Sequence, residues 1–430
     1  MLLKKIKNKT SLIGIFGLGY IGLPRCIQFV KKGYRVIGFD NDKKKLIKLK
    51  KRKSYLTTVK NKDLNIFVNK KFISTNNIQL VKKLDIVIIS LPTPLKNNKP
   101  DLSFIRNTLR KIKKYFRNNQ LVVLESTSYP GTTQEEIIEQ LSKKFDIGKN
   151  FYICFSPERD DPGRSINTYN IPRLISGKTK KCKELGYQLY KQIFKKVKVM
   201  DNIEEAEMSK IYENVYRAIN IGLVNELKKI SQKMNIDFFK VIEGAKTKPY
   251  GFKAFYPGPG LGGHCIPIDP FYLTWKAKKF GITSKFIELS GKINNSMPNW
   301  IVSKIEEYLR FKKKKIAKKK ILILGAAYKK NINDTRESPS LKIIDLFLKK
   351  KCKVFFSDPY ITRLRKFRKY NFSHVKSIKL NKKNLRYFDI TVLVTDHDKF
   401  DKKLIMNNSK LIFDTRNFFP VRKNKNIVSL

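Results

Sequence analysis

Residues Leu12–Asp40 read LIGIFGLGYIGLPRCIQFVKKGYRVIGFD. A short apolar run, Leu12–Phe16, leads through three closely spaced glycines into a stretch with helical periodicity that reaches Lys32. A second apolar run, Tyr34–Phe39, then ends at an acidic residue. This order predicts strand, glycine turn, helix and second strand, which is how a doubly wound parallel sheet begins.

The glycine turn, Gly17-Leu18-Gly19-Tyr20-Ile21-Gly22, has the GxGxxG pattern of a dinucleotide-binding unit. The first glycine makes the turn, the second admits a pyrophosphate, and the third lets helix and strand pack closely. Asp40 would accept hydrogen bonds from a ribose and repel a 2′-phosphate, which favours NAD over NADP, although Lys43–Lys45 lie nearby. We predict an NAD site whose binding residues include Gly17, Gly19, Tyr20, Ile21, Gly22 and Asp40.

Further apolar strands, separated by helical stretches, are expected at Asp85–Ile89, Leu121–Leu124 and Phe151–Phe155. Ligands of such sheets bind beyond the carboxyl ends of the strands. The proline-braced loops at those ends are Ser90–Pro94, Glu125–Thr132 and Ser156–Gly163. Turn chemistry and helix capping explain any one of these loops. Together they indicate a binding site.

A long helix is predicted from Glu204 to about Met234, followed by a second helical region from about Ser284 to Arg310. The apolar stripe expected to bury the first helix comprises Met208, Ile211, Tyr212, Val215, Ile219, Leu223 and Leu227. Glu207, Lys210 and Asn214 recur at helical spacing on a neighbouring face. These three side chains either project together into a cleft or are ordinary exposed surface residues.

Between these helices, Phe255–Pro270 reads FYPGPGLGGHCIPIDP, which fits neither a regular helix nor a central strand. We expect a shaped loop that presents Cys265. A tight connection with a buried thiol is the alternative interpretation.

A second α/β domain follows, with strands expected at Lys320–Leu324, Lys353–Ser357, Asp389–Val394 and Lys410–Phe413. It lacks GxGxxG. Its first loop instead carries Lys329, Lys330, Asp334 and Arg336, which suit a phosphate or diphosphate, or else form an exposed basic loop. The predicted fold is therefore α/β, with two Rossmann-like doubly wound domains (1–200 and 313–430) joined by a central helical domain (201–312).

Composition excludes several classes of protein. The 430 residues are 41% hydrophobic, with no apolar stretch long enough to span a bilayer. The five cysteines form no CxxC, so neither a disulfide framework nor a metal site is predicted, and a cytoplasmic location fits best. The formal net charge of +58 comes from lysines spread along the chain, without the clustered cations and aromatics of specific nucleic-acid binding.

Six motifs, in this order and spacing, resemble the UDP-glucose/GDP-mannose dehydrogenase family over essentially the whole chain. They are GLGYIGLP (17–24), ESTSYPGTT (125–133), SPER (156–159), EMSKIYEN (207–214), GPGLGGHCIPIDP (258–270) and DTRESPS (334–340). The resemblance implies oxidation of the 6-hydroxyl of a nucleotide sugar to a carboxylate with two NAD, through a thioester on a cysteine.

The resemblance also implies roles for individual residues. The catalytic set is Cys265, Lys210, Asp269, Asn214, Glu158 and Thr127. The substrate-binding set is Glu158, Arg159, Lys210, Asn214, Tyr256, Gly262 and Lys329. Thr93, Thr127 and Arg336 join the NAD-binding residues, and the glycines of the cysteine loop are expected to let the backbone approach the sugar.

SPERDDPG (156–163) resembles the branch that acts on UDP-N-acetylhexosamines, so the predicted substrate is UDP-N-acetylglucosamine. UDP-N-acetylgalactosamine, UDP-N-acetylmannosamine and UDP-glucose are the alternatives. A single-step hydroxyacid dehydrogenase and a basic nucleic-acid-binding protein with a degenerate Rossmann domain are the competing classes. The predicted partner besides the UDP-sugar is a second copy of the chain, with neither a specific nucleic acid nor a membrane.

Overall fold

The computed structural model describes residues 1–56, 58–68, 71–96, 99–160, 168–263, 266–364, 370–420 and 425–430. His264, Cys265 and Asp161–Gly163 lie outside the described residues. The chain forms two units, Met1–Glu213 with Phe271–Ile282, and Asn214–Pro270 with Thr283–Leu430. The boundaries of the three domains remain predictions.

The first unit is built on a long mixed sheet. Its strands are β1 (Leu12–Phe16), β2 (Arg35–Phe39), β3 (Phe72–Thr75), β4 (Ile86–Ile89), β5 (Leu95–Lys96), β6 (Lys99–Pro100), β7 (Gln120–Leu124), β8 (Phe151–Phe155), β9 (Arg173–Gly177) and β10 (Val197–Val199). Its helices are α1 (Leu2–Lys7), α2 (Gly22–Lys31), α3 (Lys43–Lys50), α4 (Ser103–Ile112), α5 (Glu139–Leu141) and α6 (Lys180–Lys191).

Strand order in this sheet is β10-β9-β8-β7-β4-β1-β2-β3, with β5 and β6 forming a separate hairpin. Strands β8 and β9 pair antiparallel, and the other neighbouring strands pair parallel. The four strands β4, β7, β8 and β9 are buried along their whole length, because a parallel sheet is covered on both faces. The order reverses between β1 and β4, where such sheets bind ligands.

The glycine turn occupies this reversal point. Gly17 has a φ of +93°, and a Cβ there would lie 2.4 Å from the Ser90 carbonyl oxygen. A Cβ on Gly22 would lie 1.8 Å from the Gly17 carbonyl oxygen. Around a Cβ on Gly19, in contrast, no atom of the described chain lies within 4 Å. The first and third glycines are therefore required by the fold, whereas the second leaves open space of the kind a pyrophosphate needs.

In the second unit the helices are α8 (Phe238–Ala245), α10 (Lys285–Phe311), α11 (Pro339–Lys349), α12 (Lys382–Tyr387) and α13 (Lys402–Asn408). Its strands are β11 (Lys320–Leu324), β12 (Lys353–Ser357), β13 (Ile390–Leu393), β14 (Ile412–Asp414) and β15 (Ile427–Ser429). Neighbouring strands pair parallel in the order β12-β11-β13-β14-β15. The prediction of two doubly wound sheets is confirmed.

The turn after β11 differs from the glycine turn after β1. The backbone N–H groups of Ala326 and Ala327 donate to one oxygen of the Asp358 carboxylate, at 2.8 and 3.0 Å. Nε2 of the buried His397 lies 3.0 Å from the same oxygen. A buried carboxylate thus satisfies the N–H groups that could otherwise face a phosphate, which agrees with the absence of GxGxxG from this domain.

Two helices cross the division between the units, α7 (Ile203–Lys233) and α9 (Asp269–Lys278). The apolar stripe predicted to bury α7 is mostly wrong, since only two of its seven residues are buried. Ile211 and Val215 are buried, but the further members Met208, Tyr212, Leu223 and Leu227 are exposed. The buried face instead runs through small and polar residues such as Ala218 and Asn225. In the described chain no helix is both long and apolar enough to cross a membrane.

A pair of alanine substitutions tests the glycine turn. Gly22→Ala should lower the free energy of unfolding by roughly 2 kcal/mol or more, because the new Cβ collides with backbone. Gly19→Ala should leave stability within about 0.5 kcal/mol but weaken NAD binding at least about tenfold, by filling the pyrophosphate space. Urea denaturation and calorimetric NAD titration measure both. Normal NAD binding by the Gly19 variant would contradict this role of the turn.

Candidate active site

Four charged side chains meet behind the loops of the first sheet. Arg25 of α2 lies 3.0 Å from Glu125 and 2.5 Å from Glu158. Arg173 of β9 lies 2.9 Å from Glu125 and 3.0 Å from Glu158. The side chains of these residues are at most 7% exposed, and the Tyr190 hydroxyl also donates to Glu125, at 2.5 Å. Two cations and two anions thus form a closed, neutral network.

This network fixes the ionisation of the SPER loop. Burial disfavours a charge on Glu158, but Arg173 and Arg25 outweigh that cost and hold its pKa well below the ordinary value. Its other oxygen accepts the N–H groups of Arg159 and Asp160, both at 2.9 Å. Burial and the charge of Glu158 raise the pKa of Asp160 to about 7. One carboxylate of the loop is locked as an anion, and its neighbour titrates near neutrality.

The loops after β4 and β7 are tied together. The Thr93 hydroxyl donates to the Thr127 carbonyl oxygen at 2.7 Å, which brings two residues predicted to bind NAD into contact. The buried Tyr272 of α9 donates its hydroxyl to the Thr93 carbonyl oxygen and lies 3.3 Å from the Pro94 carbonyl oxygen. The part of helix α9 that belongs to the first unit is therefore anchored on the loops that follow β4 and β7.

Helix α7 holds the Glu125–Thr133 loop through Glu207. Its carboxylate accepts the Gly131 N–H at 2.6 Å, the Thr133 N–H at 2.8 Å and the Thr133 hydroxyl at 2.7 Å. Lys210, one turn further along α7, is only 7% exposed, and its ammonium makes no hydrogen bond or ion pair with any described residue. A nearly buried cation without a partner fits an anionic or oxyanionic ligand.

The second unit brings together two residues of the predicted catalytic set. Asn214 Nδ2 donates to Asp269 Oδ2 at 2.6 Å, and both side chains are buried. The start of the cysteine loop is held by asparagines: Gly258 N–H donates to Asn225 Oδ1 at 2.9 Å, and Asn225 Nδ2 donates to Asn294 Oδ1 at 2.8 Å. Hydrogen bonds therefore hold the chain before and after His264 and Cys265, at Gly258 and at Asp269.

The glycines of that loop pack closely against a segment of the second sheet domain. A Cβ on Gly262 would lie 2.5 Å from Tyr328 Cβ, and one on Gly263 would lie 2.8 Å from the Tyr328 ring. Gly263 N–H also donates to the Arg336 carbonyl oxygen at 2.9 Å. These glycines are needed for close packing against the 328–339 segment. The expected approach of the Gly262 backbone to the sugar remains a prediction.

The other predicted residues of the second unit lie on two segments. The Arg336 guanidinium lies 2.6 Å from Asp334, so their charges compensate each other. Lys329 is half-buried on the same segment as Arg336. Tyr256 is exposed and donates its hydroxyl to Glu243 at 2.6 Å. The binding roles of Tyr256, Lys329 and Arg336 remain predictions.

The residues around the glycine turn fit NAD. Asp40 accepts the Leu18 N–H at 3.0 Å and so faces the turn, although it also pairs with Lys45 at 2.9 Å. The Ser128 hydroxyl is buried without a hydrogen-bond partner among the described residues. With the open space at Gly19, these features leave room and polar groups for a dinucleotide. Tyr20 and Ile21 immediately precede α2, at its positive end.

The sequence interpretation missed several residues that organise the site. Arg25, Glu125 and Arg173 are far apart in the chain, and nothing in their spacing indicates a shared network. Asn225 and Asn294 interrupt apolar helix faces, a pattern that does signal a buried polar contact. Tyr272 gives no such signal, because a tyrosine near the start of a helix is common.

Replacing Glu207 tests its burial. Burial raises its pKa to about 7, so the unfolded chain releases this proton at lower pH than the folded protein. The group's contribution to stability is complete below about pH 4 and is lost as the pH rises through about 7, by up to roughly 3 kcal/mol.

At about pH 5, Glu207→Gln should therefore have a lower free energy of unfolding than the wild type. Much of this difference should disappear at about pH 8, where the wild type has lost the contribution of the protonated carboxyl group. Glu226→Gln, which alters an exposed carboxylate of the same helix, is the matched control. Urea denaturation at both pH values measures the effect. A constant difference between wild type and Glu207→Gln would show that Glu207 does not titrate in this range.

Comparison with known proteins agrees with this geometry. The UDP-glucose/GDP-mannose dehydrogenase family matches through its NAD binding domain at residues 11–194, its central domain at 204–296 and its UDP binding domain at 322–421. The UDP-N-acetyl-D-mannosamine dehydrogenase of Methanocaldococcus jannaschii is 34% identical over 94% of this chain and 92% of its own. The UDP-N-acetyl-D-glucosamine 6-dehydrogenase of Salmonella typhi is 32% identical over 90% of both.

Among solved structures, the UDP-D-ManNAc dehydrogenase of Pyrococcus horikoshii superposes with a TM-score of 0.86. Its sequence is 30% identical, and the match covers 97% of this chain and 98% of that one. These full-length similarities agree with the two sheets and the long helices α7 and α10. The chain belongs to the UDP-glucose/GDP-mannose dehydrogenase family and is an NAD-dependent nucleotide-sugar dehydrogenase.

Proposed function

We propose that the protein oxidises the 6-hydroxyl of UDP-N-acetyl-D-glucosamine to a carboxylate, for surface polysaccharide synthesis. The observation that carries the proposal is the hydrogen bond between Asn214 and Asp269. It joins a predicted amide donor to a predicted carboxylate that follows Cys265 by four residues in sequence. Bound NAD would supply the oxidising equivalents, two per sugar.

The protein's own groups would divide the remaining chemistry. Cys265 adds as a thiolate to the aldehyde carbon, and the resulting adduct is oxidised to a thioester that water cleaves. The thiolate requires a cationic neighbour, and Lys210 is the cation of the predicted set that lacks a partner among described residues. Lys210 and Asn214 would stabilise oxyanion charge, while Asp269 orients Asn214.

Hydrolysis of the thioester is assigned to the Thr127 and SPER loops. Glu158 accepts four hydrogen bonds through its two oxygens, which fills the acceptor sites of a carboxylate. We therefore propose that Glu158 acts through its fixed negative charge and through the loop it holds. Asp160, whose pKa is about 7, is better suited to exchange a proton with the attacking water.

UDP-N-acetylmannosamine is the second candidate substrate, because most of the similar relatives carry the name of UDP-N-acetyl-D-mannosamine dehydrogenases. The two sugars are epimers at C2, and the described site does not choose between them. The resemblance of SPERDDPG to the N-acetylhexosamine branch supports either sugar. A cytoplasmic location remains part of the proposal.

Product stoichiometry tests the proposed reaction. The wild type should form two NADH for each UDP-N-acetylhexosamine consumed. With UDP-glucose, it should form NADH more slowly or not at all. Cys265→Ser should lose at least about a thousandfold in acid formation, because the thioester cannot form. One NADH per sugar with an unaffected Cys265→Ser variant would point to single-step oxidation instead. A strong preference for UDP-glucose would overturn the substrate assignment.

We also propose a homodimer formed through α7. An apolar stripe stays exposed on this helix in the second unit, at Tyr216, Leu223, Leu227 and Ile230, and Met234 continues it just past the helix end. The successive spacings are those of a seven-residue repeat, which suits helix pairing. Sedimentation equilibrium should give twice the 50.3 kDa chain mass, and Leu227→Glu should shift it toward monomer. A monomeric wild type would refute the dimer.

A further inference from the structure

Arg159 is a predicted sugar-binding residue of the SPER loop, and its side chain has defined partners on two elements. Its Nε donates to Glu213 at 2.8 Å, and its Nη2 lies 2.5 Å from the same oxygen. Its Nη1 donates to the Pro172 carbonyl oxygen at 2.7 Å. Nη1 and Nη2 each keep one N–H that has no partner among the described residues. The side chain is 24% exposed.

The backbone of Arg159 is equally constrained. Its N–H donates to Glu158, which is in turn bound by Arg25 and Arg173. The guanidinium is therefore held from two directions, by its own side-chain partners and by the buried network beneath its backbone. A group held this way loses little entropy on binding a ligand.

The position of Glu213 on α7 relates the Arg159 guanidinium to Lys210, a residue of the proposed reacting centre. Glu213 is three residues after Lys210, so the two side chains are neighbours on one face of the helix. Arg159 therefore lies on the Lys210 side of α7. In a hexose, C2 lies across the ring from C5, which carries the reacting C6. A sugar whose C6 reacts beside Lys210 carries its C2 substituent one ring width away, and Arg159 is a described hydrogen-bond donor on the same side of α7.

Charge decides which kind of ligand suits Arg159. Its positive charge is already compensated by Glu213, which makes it a poor diphosphate site compared with an unpaired cation. Its two remaining N–H groups suit a neutral acceptor. The carbonyl oxygen of an acetamido group is such an acceptor, and it extends further from the ring than a hydroxyl.

We propose that Arg159, oriented by Glu213, donates hydrogen bonds to the 2-acetamido carbonyl of the substrate and selects N-acetylhexosamines over UDP-glucose. Arg159 is a specificity residue that touches substrate. Glu213 is a positioning residue that acts through Arg159. This inference rests on the proposed nucleotide-sugar oxidation and adds the group that recognises the sugar.

The test compares kcat/KM for UDP-N-acetylglucosamine, UDP-N-acetylmannosamine and UDP-glucose in three variants. Arg159→Lys should lose about tenfold or more with the better acetamido sugar and less than about threefold with UDP-glucose. Glu213→Gln should shift the same ratio in the same direction by a smaller factor, since the amide keeps one acceptor. If UDP-glucose is not oxidised, its inhibition constant replaces kcat/KM.

Arg106→Lys is the matched control. Arg106 pairs with Glu136 through a similar two-point contact on α4 and should leave the ratio unchanged. Melting curves confirm that each variant is folded. Equal losses with all three sugars, or an unchanged ratio in folded Arg159→Lys, would overturn the inference while leaving the reaction intact. A wild type that binds NAD but oxidises none of these sugars would instead refute the proposed function.

Discussion

The buried contact between Arg25, Arg173, Glu125 and Glu158 is the interaction on which the first unit depends most. Each charge has lost its hydration, a cost of several kcal/mol per ion unless partners replace the water. Here each guanidinium contacts both carboxylates, and Tyr190 and Ser90 add hydrogen bonds to Glu125. The set is neutral and almost fully bonded, so it tolerates burial only while all four members are present.

The network matters because of the elements that it joins. Arg25 stands on α2, directly after the glycine turn; Glu125 follows the end of β7; and Glu158 belongs to the SPER loop. The helix that follows the glycine turn and the SPER loop are thereby tied to one buried centre. In the second unit, the start of the cysteine loop is held instead by the asparagines Asn225 and Asn294 and by close glycine packing.

Sequence reasoning predicted the fold because its signals are local. The apolar run Leu12–Phe16, the glycine turn and Asp40 follow one another closely along the chain, and each is physically demanding. The partners of Glu158 could not be predicted, because Arg25 is 133 residues away and becomes a neighbour only when the sheet forms. The stripe on α7 was mostly wrong because periodicity cannot distinguish a face covered by its own chain from a face left exposed. The packing of Gly262 against Tyr328 could not be predicted, because sequence shows that a side chain is missing but not what fills the space.

A double-mutant cycle on Arg25→Met and Glu125→Met tests the central claim most directly, by urea denaturation of the wild type, both single variants and the double variant. If the four charges form one closed network, each single variant leaves an uncompensated buried charge. We expect the double variant to be more stable than the sum of the single effects implies, by about 2 kcal/mol or more. Additivity within about 0.5 kcal/mol would contradict a closed network.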